Sequence, residues 1–336
     1  MLKSVTMKAA LAGVLALAAT GQAIAQERVK LRAAWIVPVT TIGSILFAKD
    51  GIAQHHRKSY DAEFTRFEGS TPQLTALATG NLDIALLGFT SLPLAVLNAG
   101  MEDIRVIADE IRDGMPGYYS NEFFVLADGP VKSVADLKGQ VLATNAFGSA
   151  VDIAVRAMLR KANIDPKTGV TTIEAPFPSM KAMLLEKKAV LVPAVPPFSR
   201  DPELRGKARA LFVQSDGVGV GALAFFAARK PFIDKNRAAL VDFLEDYLRM
   251  VRWYTNPANA KEAAQIASNL TKAPPERFGW LFTKEDYYRD PNGLVDVTSL
   301  QTSVDLQRDL GLLKSTIDVS KYIDMSLVQE AAKRLN

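Results

Sequence analysis

Residues 133–165, SVADLKGQVLATNAFGSAVDIAVRAMLRKANID, decide how the chain is read. Lys132–Leu137 is predicted as a short helix that Gly139 ends. Val141–Thr144 is a β-rich run, and Ala150–Ala162 spaces its apolar residues as one face of a helix. The turn Phe147-Gly148-Ser149 joins them, and its serine suits an N-cap. The same alternation recurs on both sides. Upstream, strands are expected at Val29–Val37, Ala62–Phe67, Leu82–Leu87, Ile104–Ala108 and Glu122–Ala127. Helices are expected over about Ile42–Gln54, from Thr71-Pro72 to Gly80, and over Ser91–Ala99. Downstream, strands are expected at Thr171–Ala175, Ala189–Val195, Leu211–Gln214 and Ala222–Ala227, with a helix at Ser179–Lys187. After Arg229 only helical patterns follow: Asn236–Thr255, Lys261–Leu270, Pro274–Leu281, Val297–Leu310 and Leu327–Leu335. They are expected to pack on the preceding sheets. The order indicates an α/β architecture with largely parallel sheets.

Composition bounds the function. The 336 residues are 49% hydrophobic and 23% charged, room for two domains of ~150 residues. The chain has no Cys, which excludes disulfides, thiolate zinc, iron–sulfur clusters and a catalytic thiol. Its two His, His55 and His56, are adjacent, so a multi-histidine metal site is excluded, and the pair is placed on an exposed helix end. No cofactor or metal is expected. A net charge of +4 without a basic cluster gives no reason to expect nucleic acid as a partner; Lys187-Lys188 reads as a solvated face.

Met1–Ala25 reads as a secretory signal peptide: Lys3 and Lys8, an apolar stretch Ala9–Thr20, and Ala23-Ile24-Ala25 before a mature start at Gln26. A membrane anchor is the alternative, but Gly, Thr and Gln dilute the stretch and no basic flank follows. Losing Lys3 and Lys8 takes the charge from +4 to +2. Without a Cys at the cleavage site there is no lipid anchor. A free periplasmic protein is expected.

In parallel α/β sheets, ligands sit beyond the carboxyl ends of the strands, where helix N-termini present unpaired N–H groups to anions. Four hydroxyl-bearing turns fit: Val39-Thr40-Thr41, Gly69-Ser70-Thr71, Phe89-Thr90-Ser91 and Phe147-Gly148-Ser149; Phe177-Pro178-Ser179 is a Pro-rich fifth. Any one is an ordinary N-cap site. Together they point to a shared cleft.

Three stretches then resemble a known family: LRAAWIVPVTTIGSILFAKDGIAQ (31–54), FEGSTPQLTALATGNLDIALLGFTSLPLA (67–95) and the quoted 133–165 segment, whose V-x-D-L-K-G and Gly-Ser turn are the most specific. Over most of residues 29–336 the chain resembles the periplasmic substrate-binding proteins of ABC importers, in the sulfonate, taurine and nitrate group. The resemblance implies a type II periplasmic-binding fold: two α/β lobes, mixed sheets with flanking helices, and a helical C-terminal segment. Lobe one would comprise 26–128 and 218–336, and lobe two 129–217, with crossings near Asp128 and Val218. Cleft closure by hinge bending would present the protein, as a monomer, to an inner-membrane permease. One departure is Val195-Pro196-Pro197-Phe198, where such proteins often carry an acid before Pro-Phe. Its absence argues against a zwitterion such as taurine.

The candidate ligand residues follow. The hydroxyls of Thr40, Thr41, Ser70, Thr71, Thr90, Ser91 and Ser149, with backbone N–H groups such as that of Gly148, would ring an anionic head. Trp35, Phe89, Phe147 and Phe198 would wall an apolar body, with core packing as the alternative for Trp35 and Phe89. Arg112, read as lying in a loop, is the candidate cation or else a solvated side chain; Asn121 is a candidate donor. The ligand expected is a small sulfonate or carboxylate with an apolar or aromatic body. No catalysis is expected. An enzyme on the same fold, or a sensor presenting its closed form to a receptor, are the alternatives.

Overall fold

The computed structural model describes residues 28–336. The signal-peptide expectation, with its start at Gln26, lies outside the described residues. Strand β1 (Val29–Trp35) pairs in parallel with β2 (Tyr60–Arg66). Then come α1 (Ser70–Ala78), β3 (Ala85–Gly88), α2 (Ser91–Leu97) and β4 (Ile104–Asp113). The chain continues through β5 (Glu122–Leu126), β6 (Val141–Thr144), α3 (Ala150–Lys161), β7 (Thr171–Glu174), α4 (Met180–Leu185), β8 (Val192–Ala194), α5 (Pro202–Lys207), β9 (Ala208–Val213) and α6 (Gln214–Val218). It ends with β10 (Gly221–Arg229), α7 (Lys230–Tyr254), α8 (Ala260–Thr271), α9 (Val297–Asp309) and α10 (Ser326–Arg334).

The strands form two sheets of matching order. β10 lies antiparallel between β3 and β4, and the parallel bridge Ala33↔Ile84 joins β1 to the start of β3, giving β2-β1-β3-β10-β4. β5 lies antiparallel between β8 and β9, and Leu142↔Leu191 joins β6 to β8, giving β7-β6-β8-β5-β9. Each sheet is therefore mixed, because one strand in each runs against the rest. The expectation of largely parallel sheets fails at β5 and β10, the strands that follow the two passages between sheets. Alternation on β5 sends Phe123 into one core cluster and Phe124 into another, on opposite faces of the second sheet. The first passage is residues 114–121, since Glu122 already pairs with Ala194 and Val213.

The helix expected over Ile42–Gln54 is a 3-10 turn, Ile42–Ser44, followed by irregular turns. Two causes are visible. The Ser44 hydroxyl donates to Thr41 O at 3.0 Å and accepts from Val39 N at 2.8 Å, competing with helical bonds. A Cβ on Gly43 would meet Phe64 Cδ1 at 2.6 Å and Trp35 Cβ at 2.8 Å, so this backbone packs directly on β1 and β2. His55 is not on an exposed helix end: Asp246 accepts from its backbone N–H, and its ring lies 3.1 Å from Glu245. His56 stacks on Phe47.

The helical tail shares one core with the first sheet. Leu240, Phe243, Leu244, Leu248 and Val251 of α7 are buried in the same cluster as Leu31 and Phe225, and Tyr247 donates its hydroxyl to Asp109 O at 2.6 Å. Among the described residues no helix is long and apolar enough to cross a membrane.

Candidate functional site

A cleft lies between the sheets, with the N-termini of α1 and α3 on its rim. Thr40, Thr41, Gly69, Ser70 and Gly88 of the first lobe face Asn145, Ser149, Ala150 and Val151 of the second. Ile36, Ile111, Phe177, Val195 and Leu223 supply apolar wall, and Asn121 and Tyr287 a polar edge. None of its lining residues carries a charged side chain.

The donors differ in what they have left to give. Thr41 is spent: its hydroxyl donates to Val37 O at 2.8 Å and accepts from Ile36 and Val37 N–H groups. Thr40 donates across the cleft to Pro196 O at 2.7 Å. Ser70 Oγ accepts from Gly88 N at 2.9 Å, and its own proton has no acceptor among the described residues. Ser149 caps α3, accepting from Asp152 N at 3.4 Å, and donates to Asn145 Oδ1 at 2.7 Å. That leaves the Asn145 amide to face outward, and it reaches Glu68 O at 3.4 Å. Asn121 donates to Gln214 Oε1 at 3.0 Å and accepts from the Tyr287 hydroxyl, which keeps one amide proton free. The first-turn N–H groups at Ser70 and Thr71 of α1, and at Ala150 and Val151 of α3, have no intrahelical partner by position. Two partial positive ends thus meet across one space.

Behind the cleft, buried charges hold its wall. Arg289 donates to Thr40 O at 2.7 Å, and Glu110 accepts from Ile42 N at 2.6 Å. Together they fix the turn that carries Thr40 and Thr41. Burial pushes Asp109, Glu110 and Asp113 of β4 up to about 7. Arg112 opposes this for Asp109, Ile42 N–H and then Arg289 for Glu110, and Ser120 and Asn121 for Asp113.

Of the sequence candidates, Thr40, Thr41, Ser70, Asn121 and Ser149 come together on the cleft, and the rest do not. Thr71 is exposed on the outer side of α1. Phe89, Thr90 and Ser91 are buried in the first lobe. Trp35 packs against Gly43 and under Arg66. Arg112 is no loop residue: it lies within β4, and Asp109, Asp290 and Leu294 O occupy its guanidinium. Phe147 is 49% exposed and is not among the residues lining the cleft. Gly148 gives its N–H to Asp152. Phe198 lines a different recess. Sequence reading missed Asn145, Gly88 and Tyr287. Asn145 stood two residues before a turn already singled out; nothing local marks Tyr287, which arrives from the helical tail.

A family model described as the NMT1-like family matches residues 24–268. No curated protein matches the chain. Among solved structures, the alkanesulfonate-binding protein SsuA of Xanthomonas axonopodis pv. citri, bound to MOPS, superposes with a TM-score of 0.71 at 16% identity, covering 89% of this chain and 99% of that one. The periplasmic nitrate-binding protein NrtA of Synechocystis PCC 6803 gives 0.71 at 16% identity, covering 92% and 90%. The desulfurization enzyme DSZB gives 0.61 at 13% identity, covering 92% and 100%. At such identities the likeness establishes the fold, the two-lobe arrangement of periplasmic binding proteins. The two sheets joined by the Ala33↔Ile84 and Leu142↔Leu191 bridges, the cleft between them and the family match over most of its length agree: the chain belongs to the NMT1-like family.

Proposed function

We propose that the chain is an extracytoplasmic solute-binding protein that takes a small organic anion, a sulfonate or carboxylate with an apolar body, into this cleft. It then delivers the anion to an ABC permease. The observation that carries the reading is the pair of helix N-termini, α1 and α3, facing one space lined by neutral donors and apolar side chains. Dipole ends and neutral donors stabilise one negative charge without a buried cation. Ile36, Ile111 and Phe177 suit an apolar body, which nitrate lacks. The wall at Val195 and Pro196 carries no carboxylate to pair an amine, which disfavours taurine.

We assign the first lobe to residues 28–113 and 221 onward, and the second to 122–218, on the strand pairing. Export through the Met1–Ala25 leader and action as a monomer belong to the same proposal. Closure would hinge on residues 114–121 and 219–220. The DSZB likeness keeps catalysis as the alternative; the cleft lining has hydroxyls and amides but neither imidazole, amine nor carboxylate for proton transfer, which favours binding.

Thermal-shift measurement with butanesulfonate, benzenesulfonate, benzoate and nitrate tests the reading. A ligand at a hundredfold its Kd adds about 2.7 kcal/mol to stability. Sulfonates or benzoate are expected to raise the melting temperature more than nitrate does. A shift by organic cations alone, or by none of these anions, would contradict it.

A further inference from the structure

The run Val195-Pro196-Pro197-Phe198 offers a ligand no acid, yet it opens a segment of the second lobe that the first lobe grips. Thr40 donates to Pro196 O at 2.7 Å in a buried hydrogen bond. The Arg200 guanidinium reaches over to the tail. It donates to Glu285 O, and lies 3.9 Å from the Glu285 carboxylate and 5.9 Å from the Trp280 ring centre. Asp201 faces Arg277 of the same tail at 3.6 Å. Tyr119, on the passage joining the lobes, donates to Ser199 Oγ at 2.9 Å, and its ring centre lies 5.1 Å from the Arg200 guanidinium. Among the described residues, side-chain hydrogen bonds also cross between the lobes from Asn145 to Glu68 O and from Arg160 to Leu310 O, but both are 3.4 Å long. The segment 196–201 therefore makes the shorter crossings. Neither Arg200 nor Arg277 is among the residues lining the cleft.

We propose that residues 196–201 form a clasp that weights the closed arrangement of the lobes, with Arg200 as its main arm. Affinity for the anion then depends on a positioning residue that does not touch it. This rests on the solute-binding reading of the cleft. Contacts between the lobes exist only while the lobes are together, so they favour the form that encloses a ligand. Weakening them divides the affinity of every enclosed ligand by one common factor, the change in the closed fraction. A residue touching the ligand would instead discriminate between head groups. The ligand enters while the lobes are apart, so the clasp acts after entry and sets the rate of escape.

Calorimetry and stopped-flow binding on the mature chain with benzenesulfonate and benzoate test it. Arg200→Gln removes a charge-assisted hydrogen bond and is expected to weaken both anions by the same factor, about fivefold or more. The loss is expected in the dissociation rate, at an unchanged one site per chain; partial unfolding would lower the number of sites instead. Arg277→Glu, at a side chain 45% exposed, sets like charges against Asp201 across the lobes. It is expected to weaken both anions by a common factor of about twofold or more. Should Arg200→Gln fail to fold, Arg277→Glu decides alone. Unchanged affinity in a folded variant, factors that differ by more than about threefold between the two anions, or a loss confined to association would overturn the clasp and leave the cleft reading standing. No binding of either anion to the wild-type chain would overturn both.

Discussion

Ser70 and Thr71 are neighbours with opposite roles. Sequence presents them as a hydroxyl pair at a helix start, but one helical step turns them about 100° apart. Ser70 is buried against Gly88 with a proton to give, while Thr71 faces solvent. We therefore expect Thr71→Ala to leave anion affinity unchanged. Ser70→Ala is expected to weaken it by ~1.5–3 kcal/mol, the cost of one hydrogen bond to a charged group. Calorimetry with benzenesulfonate reads both; a loss in Thr71→Ala equal to that in Ser70→Ala would contradict the placement. The same scale shows what residue type conceals. Thr41 looks like a ligand donor and is consumed by its own strand end. Arg112 looks like a ligand cation and is consumed by Asp109 and Asp290. A sequence displays which groups can donate, but their remaining capacity depends on partners far along the chain.

At the scale of elements, strand–turn–helix units such as β6 and α3 were legible within a residue or two, because their periodicity, their Gly-Ser turn and the Ser149 cap all agree. The segment Ile42–Gln54 was not, because Ser44 and Gly43 answer to β1 and β2 rather than to local propensity. β4 also ran longer than expected, to Asp113, since its polar end is buried: Asp109, Glu110 and Asp113 are all under 3% exposed. That burial has a consequence in pH. Folded, each carboxyl keeps its proton up to about 7, whereas unfolded it titrates near 4. Between these values the folded state binds more protons, so stability falls as pH rises across the window. The carboxylates with lowered values, such as Glu203 and Asp318, act in the opposite sense only below it. We expect the melting temperature to drop from pH 5 to pH 8. Glu110→Gln keeps an acceptor for Ile42 N–H and is expected to shrink the drop. A melting temperature that rises over this range, or an unaltered slope in Glu110→Gln, would speak against it.

For the whole molecule, the α/β class and the helical tail followed from pattern, and the two-lobe fold from the family resemblance. The mixed sheets come from a feature no local pattern carries: β5 and β10 each insert against the direction of their neighbours after the chain passes between sheets. The same passages bring α1 and α3, distant in sequence, nose to nose over Gly88. A Cβ on that glycine would lie 3.5 Å from Ser70 Oγ and 4.0 Å from Ala150 Cβ. On the proposed function, an anion is held between these two helix ends. Ala150→Asp tests it most directly, since an acid in a helix's first turn suits the dipole and favours the fold while placing negative charge where the ligand's charge belongs. We expect calorimetry to show one benzenesulfonate bound per wild-type chain, and a loss of at least about a hundredfold in affinity in Ala150→Asp. The melting temperature of the free variant is expected to hold or rise. Undiminished benzenesulfonate binding by a folded Ala150→Asp chain would contradict the claim.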